Sequence, residues 1–159
     1  MPIIKLETII NAPIERVFDL ARSIDLHADS MTQTDEKAVA GVTSGLINLG
    51  QTVTWEARHF GIRQRLTSRI TVCDRPRQFS DTMVSGAFQR FDHDHFFAES
   101  DGKTVMRDVF DYDSPLWVLG RIADFLFLER YMKDLLAKRN ELIKRVAESE
   151  EWRKFLPQS

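Results

Sequence analysis

Five side chains in this sequence could do acid–base or metal chemistry from a common surface: His59, Asp81, His93, His95 and Asp108. Each falls at an inward position of an alternating strand pattern, in which successive side chains point to opposite faces of a sheet. A carboxylate beside an imidazole can fix its tautomer, raise its pKa and orient it as a base. If Ala98 pairs with Lys103 across a hairpin, His93 stands opposite Asp108, and His95 opposite Met106. If the preceding hairpin turns around Gly86 to Phe88, Asp81 stands opposite His93 on the other side. The expected arrangement is one histidine between two carboxylates. His93, Asp108 and Asp81 are therefore candidates for proton transfer. The simpler account is that the histidine satisfies two buried acids, because buried charges need partners.

The His93-x-His95 spacing also suits a metal, since alternation puts both rings on one face. A third ligand is harder to find. The strand carrying His59 is expected three strands away, roughly 14 Å at about 4.8 Å per strand. That leaves Asp81 or Asp108, and the sequence is read here as carrying no metal and no cofactor. His27 and Ser30, three residues apart on a short helix, lack an acid and an oxyanion hole in view and are read as a surface or cavity-mouth pair.

Strands and helices must position these groups. Ile3 to Ile10 reads as a strand, followed by a helix with Pro13 in its first turn and Ile14, Val17, Phe18 and Ala21 on one face. A second short helix is expected near Ile24 to Met31. Gln33 to Val42 is a weak strand pattern. Gln51 to Phe60 alternates cleanly, with Val53, Trp55, Ala57 and His59 on one face. After a tight turn at Phe60-Gly61, residues Ile62, Gln64, Leu66, Ser68 and Ile70 face one way, and Arg63, Arg65 and Arg69 the other, where Glu56 can pair with them. Asp74 to Arg77 breaks the run and Gln78 to Ser85 resumes it. Phe88 to Ala98 and Lys103 to Asp113 form a hairpin around Asp101-Gly102.

One face of these strands is apolar and the other charged, which describes an antiparallel sheet wet on one side. The cover for the dry side is the segment Leu116 to Glu148, capped by Ser114 and opened by Pro115, with no further proline. Leu116, Leu119, Ala123, Phe127 and Arg130 line one stripe, and Leu128, Met132, Leu135, Leu142 and Val146 continue an apolar one. Trp152, Phe155 and Leu156 follow; they either fold back onto the domain or meet a second subunit as a homodimer.

The 159 residues suit one domain spanning 1–159. Phe is abundant at 11 and Tyr scarce at 2, so the interior is rich in rings without hydroxyls. A net charge of −2 gives no electrostatic reason to bind nucleic acid or an anionic membrane. Cys73 is the single cysteine, which rules out an internal disulfide. The start Met1-Pro2-Ile3-Ile4-Lys5 lacks a signal-peptide core, and no apolar run could span a bilayer, so a cytoplasmic location without stable membrane insertion is expected.

Asn11-Ala12-Pro13-Ile14-Glu15-Arg16-Val17-Phe18 resembles the N-A-P-x-E-x-V-F opening of the SRPBCC superfamily, the START-like or polyketide cyclase/dehydrase-like proteins. The stretches Trp55 to Ile62, His93 to Phe97 and Met106 to Asp108 resemble a bacterial ligand-binding subgroup of it. The resemblance covers nearly the whole chain. It implies an α+β helix-grip fold: a curved seven-stranded antiparallel sheet wrapped on a long C-terminal helix, with two short helices after the first strand. It also implies a cavity between sheet and helix, typically roughly 300–1,000 Å³. Trp55, His59, Met83, Phe88, Phe91, His93, His95, Met106, Asp108 and Phe127 are the residues expected to line it. Two functions follow as expectations. One is a carrier or sensor of a small hydrophobic or lipid-like molecule. The alternative is a cyclase or dehydratase using the His/Asp group.

Overall fold

The alternating segments pair into one seven-stranded antiparallel sheet in the computed structural model, which describes residues 2–114 and 122–157. The strands are β1 (Ile3–Ile10), β2 (Lys37–Gly41), β3 (Thr52–His59), β4 (Ile62–Asp74), β5 (Gln78–Ser85), β6 (Arg90–Ser100) and β7 (Lys103–Asp113). Their order in the sheet is β1-β7-β6-β5-β4-β3-β2. Between β1 and β2 lie α1 (Ile14–Ala21) and α2 (Ile24–Ser30), and after β7 comes α3, described over Ile122–Ala147. The caps expected from Ser114 and Pro115, and the stripe positions Leu116 and Leu119, concern a helix start outside the described residues.

Local chemistry accounts for these elements. Ile14, Val17, Phe18, Leu20 and Ala21 form the buried face of α1. Pro13 occupies the cap position just before the first turn rather than a place within it. Ser23 caps α2 by accepting a hydrogen bond from the Leu26 amide at 3.2 Å. The weak pattern at Gln33 to Val42 yields a shorter strand, because Thr32–Thr34 winds into a 3₁₀ turn first. On the wet face Glu56 pairs with Arg63 at 2.7 Å and Arg65 at 2.8 Å.

The β6–β7 register differs from the expected one. Ser100 pairs with Lys103, so Asp108 faces His95 and Phe110 faces His93. The cause is the turn. Asp101 and Gly102 both adopt positive φ, 52° and 75°. That conformation makes a two-residue type I′ hairpin, two residues tighter than the loop needed to pair Ala98 with Lys103. A shift of two residues changes every cross-strand partner but keeps every side chain on its face. The β5–β6 register is the expected one, with Asp81 opposite His93.

The buried side chains form two clusters. The larger joins α1, α2 and the C-terminal half of α3 to the sheet, with Phe18, Phe79, Phe97, Met106, Ile143 and Val146 at its centre. The smaller contains Ile4, Phe91, Phe110, Tyr112, Leu128 and Leu136. Beyond α3, Glu150–Lys154 turns in a 3₁₀ helix, and Trp152, Phe155 and Leu156 pack back on the larger cluster. Of the two fates expected for these three, folding back is the one observed. The Arg16 guanidinium lies 4.4 Å from the Trp152 ring. Among the described residues, no helix is long and apolar enough to cross a membrane.

Candidate functional site

The two clusters are separated by a layer of polar groups. Alternation on β6 places His93 and His95 side by side, their ring centroids 3.9 Å apart. Phe79 stacks on His95 at 4.1 Å from the larger cluster, and Phe110 meets His93 edge-on at 5.2 Å from the smaller. β5 supplies Asp81 on one side and β7 supplies Asp108 on the other.

Hydrogen bonds run diagonally across the ladders rather than straight. Asp81 faces His93 in register yet accepts from His95 Nε2 at 3.2 Å. Asp108 faces His95 yet accepts from His93 Nε2 at 3.1 Å. His95 Nδ1 approaches Asp108 Oδ1 to 2.9 Å, but off the line a ring N–H requires, so this is a close contact and not a hydrogen bond. The expectation of one histidine between two carboxylates therefore becomes two histidines, each bonded to a different acid.

Two further residues complete the layer from α3. Asn140 Nδ2 donates to Asp108 Oδ2 at 2.6 Å. Arg139 reaches Asp108 Oδ1 at 3.4 Å and donates to the Asn140 side chain at 3.1 Å and to the Ala21 carbonyl at 3.0 Å. Both are almost wholly buried. Sequence reasoning missed them, although a signal was present. Leu128, Leu135, Leu136, Ile143 and Val146 form the buried stripe of α3, and Arg139 falls on it at helical spacing. An arginine on such a stripe needs an internal anion. The other predicted stripe fails where it can be checked, since Phe127 and Arg130 are exposed.

The surroundings set the charge of each group. Burial alone would raise the Asp108 carboxyl, but the imidazoles of His93 and His95 and the Arg139 guanidinium hold it well below the ordinary carboxylate range. Asp81 is likewise lowered against its burial, by the His95 hydrogen bond and the neighbouring cationic groups. Both are thus carboxylates that can only accept, so the facing Nε2 atoms carry the protons. Burial, helped by His95, pushes His93 down to about 4, more than its bond to Asp108 restores.

A cavity of about 160 Å³ borders this layer. Its walls are Trp55, Leu66, Phe88, Phe91 and Phe110 from the sheet side and Leu128, Met132, Leu135 and Leu136 from α3. A second chamber of about 100 Å³ lies toward α2, bounded by Ile24, Ile47, Phe79, His95 and Arg139. Trp55, Ser68, Asp81 and His93 border both chambers. Each is smaller than the cavity expected from the fold, because aromatic rings fill much of the space.

The predicted lining residues divide accordingly. Trp55, His59, Phe88, Phe91 and His93 line the larger chamber and His95 the smaller. Met83 packs on the smaller cluster, Met106 is wholly buried in the larger one, and Asp108 sits behind the histidines; none of the three borders either chamber. Phe127 is 58% exposed and packs against Phe60 and Tyr131 at centroid distances of 5.7 and 6.3 Å. His59 and Tyr131 share a hydrogen bond of 2.8 Å that ties β3 to α3 beside the larger chamber. His27 borders both chambers, packs on Trp55 with ring centroids 4.3 Å apart and bonds Glu36 at 2.9 Å; Ser30 donates to the His27 carbonyl.

The family model for polyketide cyclase / dehydrase and lipid transport matches residues 10–137. The chain belongs to this family. No curated protein matches it in sequence. Among solved structures, the family fold recurs at low identity. TTHA0849 from Thermus thermophilus is 18% identical with a TM-score of 0.70, covering 92% of this chain and 99% of its own. A START superfamily protein from Mycobacterium smegmatis is 9% identical with a TM-score of 0.68, covering 92% and 97%. Ginseng major latex-like protein 151 from Panax ginseng is 14% identical with a TM-score of 0.63, also covering 92% and 97%. These likenesses establish the helix-grip fold of the family member described here.

Proposed function

We propose that the protein binds a small hydrophobic molecule between the sheet and α3, as a carrier or sensor. The observation that carries this reading is the larger chamber, walled mainly by aromatic and aliphatic side chains, with Asp81 and His93 among a minority of polar groups that include Glu36 and His59. A ligand with an apolar body and a polar group matches it. Its volume limits the size: a cavity of about 150 Å³ accommodates benzene, so a compact aromatic or short aliphatic body suits the 160 Å³ chamber. The family's association with lipid transport supports the same class of ligand.

The enzymatic alternative would use His93 as general base. A base works best when its pKa lies near the working pH. Burial leaves His93 near 4, neutral but weakly basic at pH 7, which favours binding over catalysis.

Native mass spectrometry of the purified protein, with solvent extraction, tests the proposal. A co-purifying apolar compound of low mass is expected, and Ala57→Leu should displace it, because Ala57 lines the chamber. Turnover of a polyketide-like substrate, lost in His93→Gln with ligand affinity kept, would overturn the non-enzymatic reading. Failure of a panel of monocyclic and short-chain apolar compounds to bind would overturn the binding reading.

A further inference from the structure

We infer that His93, His95 and Asp81 form a binding site for a divalent first-row transition metal ion at the inner end of the cavity. One ligand atom from each of the three lies within 4.8 Å of the other two. The donor set is two imidazole nitrogens and one carboxylate oxygen, which suits zinc, iron, cobalt or nickel rather than the all-oxygen preference of calcium and magnesium. The spacing is close to what such an ion needs. With bonds of about 2.0–2.1 Å, two tetrahedral ligand atoms stand about 3.3 Å apart. His95 Nε2 and Asp81 Oδ1 are already 3.2 Å apart. Metal would take the place of the proton between them, and a small shift of one side chain would close the wider separation.

The surroundings supply what a first coordination sphere requires. Histidine ligands characteristically donate their second ring N–H to a carboxylate, which fixes the tautomer. Asp108 does this for His93 through Nε2, leaving Nδ1 to ligate. It also stands 2.9 Å from Nδ1 of His95, whose Nε2 faces Asp81. Asp108 is itself held by Asn140 and Arg139, so the carboxylate that orients His93 is fixed in turn. The charges favour a cation as well: two carboxylates, Asp81 and Asp108, stand in this layer with the Arg139 guanidinium, which pairs with Asp108. A divalent ion on Asp81 would offset that excess while both rings stay neutral. Asp81 and His93 border both chambers, so the remaining coordination positions would open onto the cavity and could take a polar group of a bound molecule.

The test uses the full chain, stripped with a chelator and titrated with Co²⁺ and Zn²⁺. One equivalent of Co²⁺ should bind with visible ligand-field absorption. Zn²⁺ should move the ring resonances of His93 and His95 and leave those of His27 and His59, which are the chain's other histidines, in place. Asp81→Asn, with its fold checked by circular dichroism, should weaken binding at least about tenfold. If that variant does not fold, the wild-type resonances decide. The inference is overturned by failure to reach a saturable single equivalent, by shifts confined to His27 and His59, or by a folded Asp81→Asn that binds as tightly as the parent.

Discussion

The two sides of the histidine layer are built to opposite ends by one helix. On the α1 side, the C-terminal half of α3 is locked. Ile143, Val146 and Ala147 are at most 2% exposed, Arg16 bonds the Ala147 carbonyl and Lys144 bonds the Ile9 carbonyl. Phe18 drives into this side and meets Phe79 and Phe97 edge-to-face at 5.4 and 5.2 Å. On the other side, Leu128, Met132 and Leu135 roof a chamber, and Leu126 and Phe127 stay exposed. Two short helices fill the first side; at the larger chamber α2 supplies only His27, and α3 supplies the rest of the helical wall among the described residues. A rigid anchor and a hollow grip can thus share one helix, provided something else packs the anchor.

The largest expected effect is at the anchor. Phe18→Ala should cost about 3–5 kcal/mol, since the site cannot collapse around the missing ring. Met132→Ala, at the hollow side, should cost under about 2 kcal/mol. Urea denaturation of both checks this, and equal losses would erase the contrast between the two sides. Next is the layer between them. Asp108→Asn should cost about 3 kcal/mol, because Arg139 would keep a buried charge without its anion.

The layer should also respond to pH in chelator-treated protein. His93 is depressed from 6.5 to about 4 in the fold, so below pH 6.5 the unfolded chain takes up a proton that the folded chain refuses. Stability is full above pH 6.5 and should fall by about 3 kcal/mol as the pH drops toward 4. His93→Gln should flatten that slope in denaturation curves recorded across the window. Ala57→Leu, on the hollow side, should change stability by only about 1 kcal/mol while excluding ligand, because it fills space instead of crowding neighbours. Smallest is Tyr131→Phe, which removes the bond to His59 for about 1 kcal/mol or less and should speed ligand exchange in stopped-flow displacement.

Much of this is legible in the chain. Alternation identifies the dry face, and with it Trp55, Phe91, His93 and His95, because period-two side chains cannot change face without a register slip. The pairing of Asp81 with His93 follows from the preceding hairpin. The pairing of His93 with Asp108 does not hold as a direct one, since it needs a turn of four residues and the chain makes one of two. Phe127 lies on the outer side of α3, which periodicity conceals because apolar residues surround that part of the helix. Arg139 and Asn140 look like ordinary members of a charged helix segment, and only their place on the buried stripe sets them apart.

The sequence by itself determined the sheet, its wet and dry faces, the long covering helix and the family opening at Asn11 to Phe18. These depend on local periodicity and turn chemistry, which each segment carries within itself. Only the tertiary structure decided that two histidines share two acids diagonally, that α3 reaches in with Arg139 and Asn140, and that rings leave a chamber of 160 Å³. Those features depend on where side chains from distant segments meet, and the volume left between them is a small difference between large packed surfaces that no single segment encodes.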